Sequence, residues 1–184
     1  KLTADKLFVT ANNYSYSFGT TRSVVRYGNV MGSRGSVIPF FRRLVVDGKP
    51  LPITDPRMTR FWITLPQAVK FVIDSFDTMQ GGELYVPRIP SMKITDLVDA
   101  IAPGSDTYEV GVRPGEKLHE EMIASDDSYR TIRQDDRFVV QPTIKEWWFK
   151  EPVGDSVPPG FSYSSNTNDQ WLSVQELRDL IELD

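Results

Sequence analysis

Over 184 residues, 21 Lys plus Arg stand against 25 Asp plus Glu, a formal charge of −4 that argues against the basic face a nucleic-acid partner requires. Apolar residues make up 40% and aromatic residues 11% of the chain, enough for a buried core and too much for intrinsic disorder; the absence of Cys excludes disulfides and thiolate chemistry. No apolar run approaches the ~18 to 20 residues of a membrane span, and residues 1–14 lack the apolar block of a secretion signal, so a cytoplasmic protein without a membrane span is expected.

Leu2, Leu7, Phe8 and Ala11 make a helical stripe, so the chain opens inside a helix that runs out in polar residues 12–17. Residues 23–27 (SVVRY) predict a strand that feeds a glycine-rich loop over residues 28–35. Residues 37–46 predict a helix closed by Asp47-Gly48, and residues 51–53 a short extended piece. Thr64 predicts a helix cap, with Pro66 in the first turn and Ala68, Val69, Val72, Ile73 and Phe76 along one side. Gly81-Gly82 stops that helix. A strand over residues 83–86, a helix over 96–102 and a strand over 108–112 follow. Leu118, Met122 and Ile123 then predict a helix within residues 117–123.

Residues 151–168 are rich in Pro, Gly, Ser and Asn. Trp147, Trp148 and Phe149 before the stretch, with Phe161, Tyr163 and Trp171 toward its end, favour a docked surface loop over a flexible linker. Ser173 and Glu176 have the S-x-x-E spacing of a capping box ahead of Leu177, Leu180 and Ile181. Helices alternating with short strands make an α/β class.

Several clusters suit chemistry, each with a plainer competitor. Residues 28–35 (GNVMGSRG) offer amides, small residues and Arg34 beyond a strand end, as a phosphate or sugar site would; the glycine spacing is not G-x-G-x-x-G, and a surface turn is the alternative. Arg57 and Arg60 precede Phe61-Trp62 and suit either a diphosphate or surface ion pairs. In Arg113-Pro114-Gly115-Glu116-Lys117 a turn presents an Arg for phosphate and a carboxylate for ribose hydroxyls, or else begins a helix. His119, the single His, lies beside Glu120 and Glu121 without H-E-x-x-H spacing, so it reads as a solvent-facing or core-edge residue and no metal is expected. Asp126-Asp127 and Asp135-Asp136 read as solvated charge.

Five ordered blocks carry a resemblance. Residues 26–41 (RYGNVMGSRGSVIPFF), 53–64 (ITDPRMTRFWIT), 86–93 (VPRIPSMK), 111–120 (GVRPGEKLHE) and 163–165 (YSS) resemble the inverting UDP-N-acetylglucosamine 4,6-dehydratases of the extended short-chain dehydrogenase/reductase superfamily. The resemblance implies the carboxy-terminal part of an NAD(P)-binding Rossmann fold, residues 1–92, with an inserted substrate-loop segment at about residues 31–64. Residues 93–184 would be the nucleotide-sugar-binding α/β lobe.

It also implies that Lys1 is the Lys of a Tyr-x-x-x-Lys pair, whose Tyr and the Asp-Lys pair used in elimination lie upstream. No catalytic residue is then expected in this chain, 184 residues alone would be inactive, and Asp5-Lys6 is surface charge. By the same resemblance Lys1, Tyr27, Gly28, Asn29 and Val30 would meet NADP or NAD. Asn29 would also meet the substrate near its diphosphate; Val37, Ile38, Pro39, Phe40 and Phe41 would line the uridine side, partly by backbone, and Thr54 would complete that pocket. Arg113 would hold phosphate, Glu116 the uridine ribose, and Arg60 would reach the diphosphate.

The implied reaction oxidises UDP-N-acetylglucosamine at C4, removes water across C5 and C6, and returns hydride to C6 with inversion at C5, giving a UDP-4-keto-6-deoxy-hexosamine. A related UDP-sugar is the implied ligand, a homo-oligomer the implied assembly, and flagellin glycosylation (pseudaminic acid) or a surface polysaccharide the implied destination. A non-catalytic UDP-sugar-binding module, and an epimerase or retaining dehydratase on the same scaffold, are the alternatives.

Overall fold

The computed structural model describes residues 2–15, 19–33, 35–145 and 149–182. Lys1, Arg34, Trp147 and Trp148, named above, lie outside the described residues. The elements in order are α1 (Leu2–Thr10), α2 (Asn12–Ser15), β1 (Val24–Val25), β2 (Asn29–Val30), α3 (Val37–Val46), β3 (Leu51–Ile53) and β4 (Thr59–Ile63). Next come α4 (Leu65–Thr78), β5 (Leu84–Pro87), β6 (Ser91–Lys93), α5 (Ile94–Ile101), β7 (Thr107–Glu109) and β8 (Glu121–Ile123). A 3-10 turn (Ser125–Arg130) leads to β9 (Thr131–Arg133), β10 (Arg137–Val140), β11 (Asp155–Ser156), β12 (Tyr163–Ser164) and α6 (Val174–Glu182). The class is α/β as expected, with parallel β1–β5, β2–β4 and β3–β7 pairs.

The chain forms two compact units that alternate along the sequence. The first comprises Lys1–Tyr27, Val69–Arg88 and Met122–Tyr163, the second Gly28–Ala68, Ile89–Glu121 and Ser164–Asp184. Compactness thus partitions the chain otherwise than a single cut after residue 92, and α4, β8 and β12 each span a change of unit.

In the first unit a five-stranded sheet has the order β1-β5-β10-β9-β11. Tyr85 and Val139 on its face pack with Phe71 of α4, and Val25 and Met79 close around them. Buried Glu83 accepts hydrogen bonds from Ser23 Oγ and from the backbone amides of Gln80 and Gly81, which fixes the turn between α4 and β5. Burial and the nearby Glu83 charge push the Tyr85 phenol up to about 12.

The second unit holds the larger core. Ile38 and Phe41 of α3, Leu97 and Val98 of α5, and Leu177 and Ile181 of α6 meet Trp62, Met58 and Met92. Completely buried side chains such as Leu97 and Leu177 each contribute roughly 2 kcal/mol by leaving water. Strand β4 is central in the order β2-β4-β6, which is why four of its five residues are buried. Helix α3 ends as expected: Asp47 and Gly48 donate to the Arg43 and Val45 carbonyls, with Gly48 at φ +65°. The capping box of α6 forms, Ser173 Oγ and N both donating to Glu176.

Several expectations are corrected. The predicted strand over residues 23–27 is confined to Val24–Val25, and the glycine-rich stretch after it contains strand β2, because Asn29 and Val30 pair with Trp62 and Ile63. Of the predicted apolar side of α4, Ala68 is buried while Val69, Val72, Ile73 and Phe76 are exposed; Phe71 and Ser75 form the buried edge because they meet Tyr85 and Arg137. No helix forms over residues 117–123. The Leu118 carbonyl accepts from Thr59 N and Arg60, and the Glu120 carbonyl from Ser165 N, so tertiary partners take the place of helical ones. Asp5 is not surface charge: it pairs with Arg26, whose other nitrogen donates to the Met122 carbonyl. Asp127 and Asp136 are likewise paired, with Arg130 and Arg137. His119 is half-buried at the core edge, as one of the two expected placements has it.

Candidate functional site

The second unit gathers polar residues at the start of β2 and β4 and in the turn that follows Val112. Gly28 permits the approach: a Cβ on it would stand 2.5 Å from Phe61 Cβ and 2.7 Å from the Phe61 carbonyl oxygen. The turn is made by Gly115 at φ +81°, with Glu116 N donating to the Arg113 carbonyl at 2.9 Å. It begins no helix, so the plainer reading of Arg113-Pro114-Gly115-Glu116 is set aside.

Arg60 lies between two carboxylates, its NH2 at 4.0 Å from Glu116 Oε1 and its Nε at 4.0 Å from Glu120 Oε1. Its other terminal nitrogen donates to the Thr59 and Leu118 carbonyls at 2.7 and 3.0 Å. A guanidinium held this way is a girder that spaces the two carboxylates. Thr54 Oγ1 reaches Glu116 Oε1 at 3.5 Å, and Glu116 Oε2 accepts from Arg113 N at 3.3 Å. The Arg113 side chain is exposed.

A hydroxyl chain lies behind these groups. Thr59 Oγ1 is 2.8 Å from His119 Nδ1 and 2.7 Å from Ser165 Oγ, and Ser165 Oγ accepts from Glu120 N at 2.9 Å. Thr59 and Ser165 are buried, so this network fixes residues 119 and 120 against β4. Asp55 is buried and accepts from the backbone and side chain of Arg57, which holds its carboxyl down to about 2. Arg57 is thereby committed to a local ion pair on the surface, the plainer of its two readings.

The residues expected at a ligand divide accordingly. Asn29, Thr54, Arg60 and Glu116 are joined through Glu116 and Glu120, with Arg113 at the same turn. Ile38 and Phe41 point into the core and can offer a ligand only backbone groups, whereas Pro39 and Phe40 are exposed and Val37 is half-buried. Helix α3, which these residues begin, has no side-chain cap hydrogen bond from Ser36, whose Oγ is buried without a partner. Of the residues expected at a cofactor, Gly28, Asn29 and Val30 belong to the second unit, Tyr27 is an exposed residue of the first, and Lys1 lies outside the described residues.

Glu120, Thr59 and Ser165 had no role from the sequence. Glu116 and Glu120 stand four apart outside any helix, and only the fold turns both toward Arg60. Among the described residues no group of three or more His, Asp or Glu side chains could hold a metal ion. Among them, too, no helix is long and apolar enough to cross a membrane.

Comparison with known proteins bears on this geometry. The family described as "Polysaccharide biosynthesis protein" matches residues 1–142. A protein of Campylobacter jejuni (serotype O:23/36, strain 81-176) named UDP-N-acetylglucosamine 4,6-dehydratase (inverting) is 53% identical over 98% of this chain and 57% of its own length. A protein of the same name from C. jejuni serotype O:2 is 50% identical over the same shares. The chain therefore spans little more than half the length of the curated relatives it matches. The crystal structure of Pen from Bacillus thuringiensis superposes with a TM-score of 0.86 at 32% identity, covering 100% of this chain and 56% of that one.

Proposed function

The chain belongs to the polysaccharide biosynthesis protein family, and we propose that it is the nucleotide-sugar-binding part of an inverting UDP-N-acetylglucosamine 4,6-dehydratase, a lyase. The observation that carries this reading is the meeting of Thr54, Arg60 and Glu116 beside Asn29 in a chain 53% identical to a protein of that name. Glu116 is placed to accept the two hydroxyls of a ribose, with Thr54 Oγ1 beside it. Exposed Arg113, at the same turn, meets the diphosphate; Arg60, spent on two carbonyls, keeps Glu116 in position. The start of α3, where the helix dipole favours an acceptor, faces the uridine side, with the Val37 and Ile38 amides ahead of the first helical hydrogen bonds.

Binding the nucleotide fixes where the hexose sits, and such orientation can supply several powers of ten in rate. NADP or NAD, when bound, supplies hydride transfer. Asn29 is an exposed amide that fits beside such a group; Gly28, Val30, Tyr27 and Lys1 are assigned to it by resemblance alone. The general base and the Asp-Lys pair lie outside the residues assigned here. A cytoplasmic location and a homo-oligomeric assembly belong to the same proposal.

The test is titration calorimetry of the purified protein with UDP and with UDP-N-acetylglucosamine. Both are expected to compete for one site, and Glu116→Ala to weaken both about tenfold through the lost ribose contacts. Binding unaffected by Glu116→Ala and Arg113→Ala contradicts the assignment.

A further inference from the structure

The block Tyr163-Ser164-Ser165 helps carry the resemblance, yet neither its residues nor the hydroxyl chain that it joins has a part in the assignment above. After residues of the first unit, the chain re-enters the second at Ser164, and Ser165 takes hold of both backbone groups of Glu120. Ser165 N donates to the Glu120 carbonyl at 2.7 Å, and Glu120 N donates back to Ser165 Oγ at 2.9 Å. Ser164 Oγ adds a bond to the same carbonyl at 3.0 Å. Ser165 is completely buried, so bulk water does not stand in for these partners.

The Ser165 hydroxyl also ends the chain that runs through Thr59 Oγ1, at 2.7 Å, to His119 Nδ1. Its protons find acceptors for either neutral tautomer of the imidazole. When Nδ1 carries no proton, Thr59 donates to it and Ser165 donates to Thr59 Oγ1. When Nδ1 carries the proton, it donates to Thr59 Oγ1, Thr59 donates to Ser165 Oγ, and Ser165 donates to the Thr59 carbonyl 3.2 Å away. The bond from Glu120 N to Ser165 Oγ is kept in both arrangements, because a hydroxyl oxygen accepts twice.

We propose that Ser165 is a positioning residue for nucleotide binding: it fixes residues 116–120 on β4, and through them the carboxylate of Glu116. These residues lie along the start of β4 in a set register. Thr59 N and Arg60 Nη1 donate to the Leu118 carbonyl at 3.2 and 3.0 Å, Phe61 N donates to Glu120 Oε2 at 3.1 Å, and Arg60 stands between Glu116 and Glu120. Ser165 grips both partners of that register, Glu120 by its backbone and Thr59 by its hydroxyl. Without the Ser165 hydroxyl, Glu120 N loses this acceptor and Thr59 Oγ1 one of its two neighbours, so the segment moves to recover them. Glu116 stands 4.0 Å from Arg60 at the far end of the same segment, and its carboxylate moves with it. The inference rests on the UDP-sugar reading of the second unit; Ser165 itself touches no ligand in it.

A double-mutant cycle with Glu116 separates positioning from general support of the fold. UDP affinity is measured by calorimetry for wild type, Ser165→Ala, Glu116→Ala, the double variant and Ser173→Ala, which loses the α6 cap of the same unit without touching residues 116–120. The proposal expects binding about 10-fold weaker in Ser165→Ala, the double variant within about threefold of Glu116→Ala alone, and Ser173→Ala within about twofold of wild type. Losses that multiply to about 100-fold in the double variant overturn it, because they show two independent effects. A Ser165→Ala loss no greater than that of Ser173→Ala overturns it as well. Should Ser165→Ala not fold, Ser165→Cys takes its place in the cycle, since a thiol keeps the side-chain shape and is a poor acceptor.

Should wild type not bind UDP, the UDP-sugar reading fails by itself. The positioning claim is then decided by NMR of the 15N-labelled Ser165 variant. Backbone amide resonances are expected to move from Glu120 back through Glu116 to Arg113, while those of α6 keep their positions. Changes confined to residues 119–120 and 164–166 overturn it.

Discussion

Gly28 lies flat against the backbone of Phe61, closer than any side-chain-bearing residue could: a Cβ would stand 2.5 Å from Phe61 Cβ and 2.9 Å from its carbonyl carbon. The glycine is required by this approach and not by a left-handed backbone, since Gly28 is not among the positive-φ glycines. Gly28→Ala is expected to push β2 from β4, lowering stability by about 1–3 kcal/mol in denaturant unfolding. The same variant is expected to weaken UDP-N-acetylglucosamine binding, because Asn29 and Phe61 both set the place of Glu120.

Ser173 caps α6, accepting from Glu176 N at 3.3 Å while Glu176 Oε2 accepts from Ser173 N at 2.8 Å. Hydrogen bonds donated by the Ser173 backbone amide and hydroxyl hold the Glu176 carboxyl below the ordinary range. Ser173→Ala is expected to cost about 1 kcal/mol, read from the urea midpoint at unchanged slope. The helix carries Leu177 and Ile181 into the core, so the loss reaches the whole unit and not the helix end alone.

Asp55 gives a pH dependence with a definite sign. Hydrogen bonds from the side chain and backbone of Arg57 bring its carboxyl from the ordinary 3.8 to about 2 in the folded protein. A group with a depressed folded pKa stabilises the fold fully above its unfolded value, and that contribution disappears as pH falls from there through the folded value. Thermal melts of wild type and Asp55→Asn are therefore expected to differ at pH 7 and to converge between about pH 4 and pH 2. A difference that persists unchanged at pH 2 would show that Asp55 acts through shape and not charge.

The sequence announces what local chemistry decides. Helix α3 and strand β3 fall where hydrophobic spacing and the Asp47-Gly48 stop place them, and the α6 cap where Ser173 and Glu176 place it. Residues 117–123 mislead because Leu118, Met122 and Ile123 have helical spacing while their backbone partners lie on β4 and at Ser165. The outer side of α4 misleads for a related reason: Val69, Val72, Ile73 and Phe76 are apolar, yet the sheet of the first unit meets the neighbouring Phe71 edge. At the candidate site, the block 111–120 draws attention to Arg113 and Glu116 but not to Glu120. Its contacts depend on Phe61, in the middle of β4 and nearly 60 residues away, and on an amide nitrogen facing it from β2.

The account stands on the second unit being the clamp for the uridylyl part of a sugar nucleotide. Titrating UDP-N-acetylglucosamine into the 15N-labelled protein tests this most directly. The account predicts that the largest amide shifts fall on residues 29–30, the start of α3, Thr54 and residues 113–120. Shifts confined to residues of the first unit, such as the β5–β10 sheet, or no shifts at saturating ligand, would contradict it.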